Sequence, residues 1–148
     1  MPVGDPNIGD DSDYLSAAAF ELRTVSRVSR IGGSILGRGR VIVPASGPGG
    51  FAIELQQTQD GATADFGGLT QDFSSFGEAL NWAERAVLED YRLRIDYAGR
   101  NPWRWTLEKM VRDGGVIEVF TSGTLLLFPW FRPRSTTFRQ NIDPMKIN

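Results

Sequence analysis

Apolar residues recur at helical spacing in two stretches of the chain. Between residues 13 and 31 they recur every three to four positions, while three arginines fall at i, i+4 and i+7, which predicts an amphipathic helix. Several weak helix formers near its end leave a strand over residues 20–28 as the alternative. Residues 76–90 carry a second apolar stripe. Ser75 and Glu78 at its start have the spacing of a capping box, so this segment predicts a second helix.

Apolar and polar residues alternate along much of the remaining chain, which is the pattern of strands that bury one face. Turn residues separate the runs, with Asp113-Gly114-Gly115 and Ser122-Gly123 among them. The pattern predicts strands over 34–43, 51–56, 62–66, 91–97, 103–108, 116–121 and 124–128, and an edge strand over 135–141.

The order of these elements is helix, strands, helix, strands. It predicts an α+β protein with a mostly antiparallel sheet and one or two helices packed on one face. At 148 residues the chain is close to the common size of one domain, and prolines and polar residues are frequent at both ends. We therefore expect an acidic N-terminal arm over 1–12, a single α+β domain over 13–128 and an extended C-terminal arm over 129–148.

Two residue types that carry much of enzyme and metal chemistry are missing, because the chain has no histidine and no cysteine. Their absence excludes Ser-His-Asp and Cys-His catalysis, disulfides and zinc sites of the usual ligand types. The glutamates at 54, 108 and 118 have no sequence context that distinguishes them from solvent-exposed carboxylates. We therefore expect no catalytic residue, no metal and no cofactor, and a carboxylate-dependent hydrolase is only the third hypothesis.

Two segments resemble ligand-binding loops only superficially. The glycine-rich residues 32–40 lack the Lys-Ser/Thr pair of a phosphate-binding loop, and they predict a bend between a helix and a strand instead. The acidic residues near the N-terminus lack the glutamate that closes a calcium loop. Neither segment therefore indicates a ligand.

The chain carries no recognisable targeting or membrane-spanning pattern. Its N-terminal residues lack the layout of a secretory signal, and the longest apolar run, 125–131, is far shorter than the roughly 20 residues of a membrane-spanning helix. We expect a protein without a membrane span, located in the cytoplasm or associated with a virion.

Arginines and tryptophans interleave along the predicted strands 91–97 and 103–108. Antiparallel pairing of these strands would gather three guanidinium groups on one face, beside a fourth in the connecting turn. Guanidinium groups bind phosphate and carboxylate, and exposed tryptophans stack on bases. The competing interpretation places both tryptophans on a core face, and the net charge of −2 is unusual for a nucleic-acid binder. The anion-binding candidates are Arg92, Arg94, Arg100, Arg104, Trp103 and Trp105.

The C-terminal residues 129–148 combine aromatic side chains, prolines and arginines. Such a segment has no core of its own, so its aromatic side chains must pack on the domain or on another chain. The partner-binding candidates are Trp130, Phe131, Arg132, Arg134, Phe138 and Arg139. The leading hypothesis is a non-catalytic interaction or structural protein that docks on a protein partner or on copies of itself, as a virion component or an accessory subunit. Binding of nucleic acid or another anionic ligand is the alternative.

Overall fold

The computed structural model describes residues 23–123 and 133–141, which form an α+β fold of two antiparallel sheets and two helices. Helix α1 covers residues 23–30 of the described part, and α2 covers Phe76–Leu88. The strands are β1 (Ser34–Ile35), β2 (Arg40–Val43), β3 (Ile53–Thr58), β4 (Gly61–Phe66), β5 (Leu69–Phe73), β6 (Tyr91–Ala98), β7 (Asn101–Met110), β8 (Val116–Gly123) and β9 (Arg134–Arg139).

The predicted fold class is confirmed, but the strands divide between two sheets. The first sheet has the order β1-β2-β3-β4-β5, and the second has the order β8-β7-β6-β9. The division falls at α2, because this helix separates β5 from β6 along the chain and packs against both sheets. Buried residues of both sheets and both helices form one hydrophobic cluster, which includes Phe66, Leu80, Leu93 and Leu107.

The structure decides between the two predictions for the N-terminal element. Residues 23–30 are helical, so the helix is confirmed there and the alternative strand is wrong over 23–28, while residues 13–22 lie outside the described part. Val28 and Ile31 are buried in the core, and the Arg27 guanidinium bonds to Glu84 of α2. Apolar burial and this ion pair hold α1 against α2.

Helix α2 begins at the predicted cap. The backbone N–H of Glu78 donates to the Ser75 hydroxyl oxygen at 3.1 Å, as a capping box requires. The Glu78 carboxylate accepts from the Ser74 hydroxyl at 2.6 Å, so the other half of the interaction uses a neighbouring side chain. The buried stripe of the helix consists of Ala79, Leu80, Ala83, Ala86 and Val87.

Hairpins connect the strands of the first sheet. The single strand predicted over 34–43 is wrong, because the chain reverses within it and β1 pairs with β2 as a hairpin. Residues 36–39 form the loop of this hairpin, where Gly37 and Gly39 have positive φ angles, so the glycine-rich stretch does not simply join a helix to a strand. The structure adds one strand that the alternation did not predict, β5, which pairs with β4 through the tight turn at Gly67 and Gly68. Both glycines of this turn have positive φ, as a short hairpin turn requires.

The second sheet corrects two details near the C-terminus. Ser122 and Gly123 do not form the predicted turn, because β8 continues through them and pairs them with Trp105 and Arg104. The strand predicted over 124–128 lies outside the described residues. The predicted edge strand exists as β9, which pairs with β6 and places part of the predicted C-terminal arm inside the sheet.

No helix among the described residues is both long enough and apolar enough to cross a membrane.

Candidate binding surface on the second sheet

The second sheet has an inner face, which packs on the core, and an outer face, which carries alternate residues of β6, β7 and β9. On the outer face, Arg92 of β6 lies opposite Glu108 of β7, and Asp96 lies opposite Arg104. Arg94 lies between these two pairs. The antiparallel pairing therefore brings together the three guanidinium groups that the sequence suggested, and it places carboxylates among them.

Glu108 is the centre of this arrangement. Its side chain is only 2% exposed, and its two oxygens accept from Nε of Arg92 at 2.9 Å and from Nη1 of Arg94 at 2.8 Å. Arg94 also donates from Nη2 to Oε1 of Glu118 at 3.3 Å, a carboxylate that is 60% exposed. Both oxygens of Glu108 are thus held by guanidinium groups inside the sheet.

Asp96 makes a second cluster on the same face. Nε of Arg104 donates to Oδ2 at 2.9 Å, and the Thr136 hydroxyl of β9 donates to Oδ1 at 2.8 Å. Burial raises the pKa of the Asp96 carboxyl, but the hydrogen bonds from Arg104 and Thr136 and the charge of Arg94 outweigh burial, so the pKa lies below its ordinary value. Asp96 is therefore an anion at neutral pH and ties β9 to β6.

These contacts bear on whether the outer face could catalyse a reaction or bind an anion. Both oxygens of Glu108 accept from guanidinium groups, and the lowered pKa of Asp96 is the opposite of what a general acid requires. Arg92 and Arg104 each donate to a carboxylate through Nε, and Arg94 donates to two carboxylates, so an external anion on this face would meet guanidinium charge that neighbouring carboxylates already offset. Among residues 23–123 and 133–141, no group of three or more acidic side chains is arranged to hold a metal ion.

Trp103 lies with the arginines, and this corrects the expectation that it shares a core face with Trp105. A β-bulge is the reason, because Arg104 pairs with Asp96 and Pro102 pairs with Tyr97, which leaves Trp103 as an extra residue. The guanidinium carbon of Arg104 lies 4.8 Å from the Trp103 ring centroid, and that of Arg134 lies 5.5 Å from it.

Trp105 lies on the inner side of the sheet. Its indole packs so closely on Gly68 that an added Cβ there would lie 2.6 Å from the indole nitrogen. It packs against the hydrophobic core, in agreement with the core interpretation for this residue.

Three arginines near β9 have no carboxylate partner within the described residues: Arg100, Arg134 and Arg139. Arg100 lies in the turn between β6 and β7, next to the start of β9, because the N–H of Gly99 donates to the carbonyl of Pro133 at 2.8 Å. Nη1 of Arg139 donates to the carbonyl oxygens of Pro48 and Gly50, both at 3.4 Å, and these neutral groups leave its charge uncompensated.

Strand β9 is an edge of the second sheet, and all six of its side chains are exposed. Backbone hydrogen bonds alternate along an antiparallel pair, so the bond from Gly99 to Pro133 fixes which residues of β9 face β6. Odd-numbered residues of β9 bond to β6, and the N–H and C=O groups of Arg134, Thr136 and Phe138 point away from the sheet. No other described strand pairs with this edge.

The six predicted partner-binding residues are therefore distributed as follows. Arg134, Phe138 and Arg139 lie on β9, whereas Trp130, Phe131 and Arg132 fall outside the described residues. Phe138 is 50% exposed, and its ring lies 4.0 Å from the guanidinium carbon of Arg92. Arg134 also contacts Trp103, so the structure joins the predicted partner-binding set to the predicted anion-binding set.

One residue that positions β9 was not singled out from the sequence. Asn141, 6% exposed, accepts from the N–H of Phe51 at 2.9 Å and donates to the C=O of Phe51 at 2.9 Å. Gln140 adds a backbone bond to the carbonyl of Gly49 at 2.8 Å. These contacts fix the end of β9 to the loop before β3. An isolated asparagine in a polar segment gives no periodic pattern that could have revealed this role.

Comparison of the chain with protein-family models, with curated proteins and with solved structures finds no match. What the protein binds must therefore be inferred from its own residues.

Proposed function

We propose that this protein is a non-catalytic interaction module that docks into a larger assembly through the edge of β9. A virion component and an accessory subunit would both use the chain in this way. The observation that carries the proposal is the exposed edge itself, a six-residue strand whose outward N–H and C=O groups have no strand partner among the described residues.

The local sequence of β9 favours pairing with another strand. Residues 135–138 are Ser-Thr-Thr-Phe, without proline, glycine or charge, and β-branched and aromatic side chains suit a sheet. Recognition by strand addition uses main-chain hydrogen bonds for affinity and alternate side chains for specificity. The contacts of Thr136 with Asp96 and of Phe138 with Arg92 hold the edge in place before a partner arrives.

The ion pairs and hydrogen bonds of Glu108 and Asp96 support a non-catalytic role. Glu108 lies in ion pairs with Arg92 and Arg94, and the hydrogen bonds on Asp96 keep its carboxyl ionised. The general acid of a hydrolase has a raised pKa, whereas the pKa of Asp96 is lowered, so Asp96 does not fit that role.

A proline placed at an outward position tests the proposal. Thr136→Pro removes an N–H that points away from the sheet, together with the hydroxyl that bonds to Asp96. Thr136→Val is the matched control, because it removes the same hydroxyl and keeps the outward N–H. Deletion of residues 129–148 is a poorer test, since it also removes β9 and Asn141 from the fold.

Tagged full-length chains are expressed in the native host, and their complexes are examined by native mass spectrometry. We expect the unaltered chain and Thr136→Val to retain a stoichiometric partner or further copies of the chain, and Thr136→Pro to lose them while its circular dichroism matches that of Thr136→Val. Retention of the partner by a folded Thr136→Pro chain would show that the edge of β9 is not the docking element.

A second candidate function is the binding of nucleic acid or another anionic ligand beside Trp103. The favouring observation is that Arg100 and Arg134, which have no described carboxylate partner, lie at the same end of the sheet as this ring. Arg92, Arg94 and Arg104 support it less, because their guanidinium groups already bind carboxylates.

Binding to single-stranded and duplex oligonucleotides, measured at increasing salt, tests this candidate. Affinity that falls steeply with salt and is lost in Arg100→Gln/Arg134→Gln, but kept in Arg112→Gln, would support it. Absence of binding at low salt would remove it.

A further inference from the structure

We propose that the segment accepted by β9 is an extended acidic strand of a protein partner, with one carboxylate opposite Arg134 and another opposite Arg139. This inference rests on the proposed function and specifies the chemistry of the partner. It follows from the charge of the edge, from the spacing of its arginines and from the alternation of its side chains.

The edge carries positive charge that the described part of the chain does not neutralise. Arg134 and Arg139 are the only charged residues of β9, and neither forms an ion pair with a described carboxylate. Arg100 lies beside the start of the strand. A strand added to this edge therefore meets guanidinium groups at both of its ends.

The contrast with the rest of the sheet shows that this excess is local. Arg92, Arg94 and Arg104 each contact a carboxylate of their own sheet, at N–O distances of 2.8–2.9 Å. The positive charge in the interior of the outer face is thus balanced by carboxylates, whereas the positive charge at the two ends of β9 has no described carboxylate beside it. Opposite charges directly across a strand pair are favourable, and guanidinium–carboxylate bonds are among the stronger ones.

Alternation sets the pattern that the partner strand must carry. Arg134 and Phe138 point to the outer face, whereas Arg139, an odd number of residues from Arg134, points to the inner face. An antiparallel partner then needs an acid opposite Arg139, an apolar residue opposite Phe138 and a second acid opposite Arg134. The sequence Glu-Leu-Thr-Val-Thr-Glu satisfies this pattern, with its first residue opposite Arg139.

A second copy of β9 is a poorer occupant of the edge. Symmetric antiparallel pairing of two β9 strands would place Arg134 of each copy at the same end as Arg139 of the other, and the strand contains no acidic residue to compensate them. The charge therefore favours a different, acidic strand.

The probe is a fluorescein-labelled hairpin peptide whose first strand is Glu-Leu-Thr-Val-Thr-Glu, because a hairpin presents the strand in its bound conformation. Two matched peptides replace both glutamates by glutamine or by lysine. Binding to the full-length chain is measured by fluorescence anisotropy. From cross-strand charge pairs of ordinary strength, we expect the glutamate peptide to bind about five- to tenfold more tightly than the glutamine peptide at low salt, with the lysine peptide weakest.

Variants of the protein locate the effect. Arg134→Gln/Arg139→Gln should remove the preference for the glutamate peptide, while Arg112→Gln, which alters the turn between β7 and β8, should leave it unchanged. The peptide series on the unaltered chain remains informative even if the double variant folds poorly.

Each contrary outcome is distinguishable. Equal binding of the glutamate and glutamine peptides would overturn the acidic-strand inference and leave docking at β9 intact. If none of the peptides binds and the native complexes are also insensitive to Thr136→Pro, the proposed function fails as well. If an oligothymidylate displaces the glutamate peptide and binds more tightly through Arg134, the ligand is a nucleic acid and the inference is wrong.

Discussion

Glu108→Gln tests whether the arginines of the outer face stabilise the fold. The substitution keeps the shape of the side chain and removes the charge that binds Arg92 and Arg94. Glu108 is 2% exposed, and the two arginine side chains are 27% and 21% exposed, so water replaces the lost interactions poorly.

The size of the effect follows from these contacts. A hydrogen bond to a charged group contributes about 1.5–3 kcal/mol, so two such bonds contribute about 3–6 kcal/mol, a range that overlaps the roughly 3–5 kcal/mol typical of breaking a buried ion pair. We therefore expect Glu108→Gln to lower the free energy of unfolding by about 3–4 kcal/mol, toward the lower end because the arginines reach solvent. For a chain of this size, that loss corresponds to a melting temperature lower by roughly 6–16 °C.

The assay is urea unfolding, followed by tryptophan fluorescence and by circular dichroism. Glu118→Gln is the matched control, because it alters a carboxylate that is 60% exposed and contacts the same Arg94. An exposed pair of this kind contributes less than about 1 kcal/mol. Equal losses for the two variants would refute the conclusion that Glu108 is the centre of the network.

Three further perturbations test other parts of the structure. Asn141→Ala should lower the free energy of unfolding by about 1–3 kcal/mol in urea titration, because the N–H and C=O groups of Phe51 lose their partners; no loss would show that water replaces them. The pKa of Asp96 is lower in the folded chain than its ordinary value, so its ionised carboxylate stabilises the fold above that value, and the contribution disappears as the pH falls through the folded pKa. The stability advantage over Asp96→Asn should therefore be constant near neutral pH and shrink below about pH 4, and an advantage that grows in acid would contradict the sign. Gly61→Ala should destabilise the β4–β5 pairing and lower the melting temperature, because an added Cβ would lie 2.1 Å from the carbonyl oxygen of Phe73, and an unchanged melting temperature would refute this steric account.

Local sequence patterns predicted the elements whose causes are local. The capping pair at Ser75 and Glu78 and the apolar stripe behind it predicted α2, and the helix begins at the next residue after its cap. Alternation predicted β6 and β7, and their antiparallel pairing gathers the arginines of the outer face. Both patterns involve only residues that are close together in the sequence, so they can be recognised without knowledge of the tertiary structure.

The parts that were missed depend on register and on distant contacts. A single extra residue at the β6–β7 bulge moves Trp103 to the arginine side, and alternation alone cannot locate such an insertion. Glu108 looks like a solvent-exposed carboxylate until the register places it opposite Arg92. Strand β5 was missed because its interior residues, Thr-Gln-Asp, are polar and only its ends are buried.

The outer face and the edge of the second sheet have different capacities for binding. An anionic ligand on the face would lie beside Glu108, Asp96 and Glu118, whose charges already offset those of Arg92, Arg94 and Arg104, so its net attraction to the face is small. A strand at the edge of β9 breaks no described pair and gains main-chain hydrogen bonds at Arg134, Thr136 and Phe138. The ion-paired face supports this edge, because Asp96 binds Thr136 and Arg92 stacks on Phe138. A partner strand added to β9 would therefore be supported by the ion-paired side chains of the outer face, and none of their contacts would have to break.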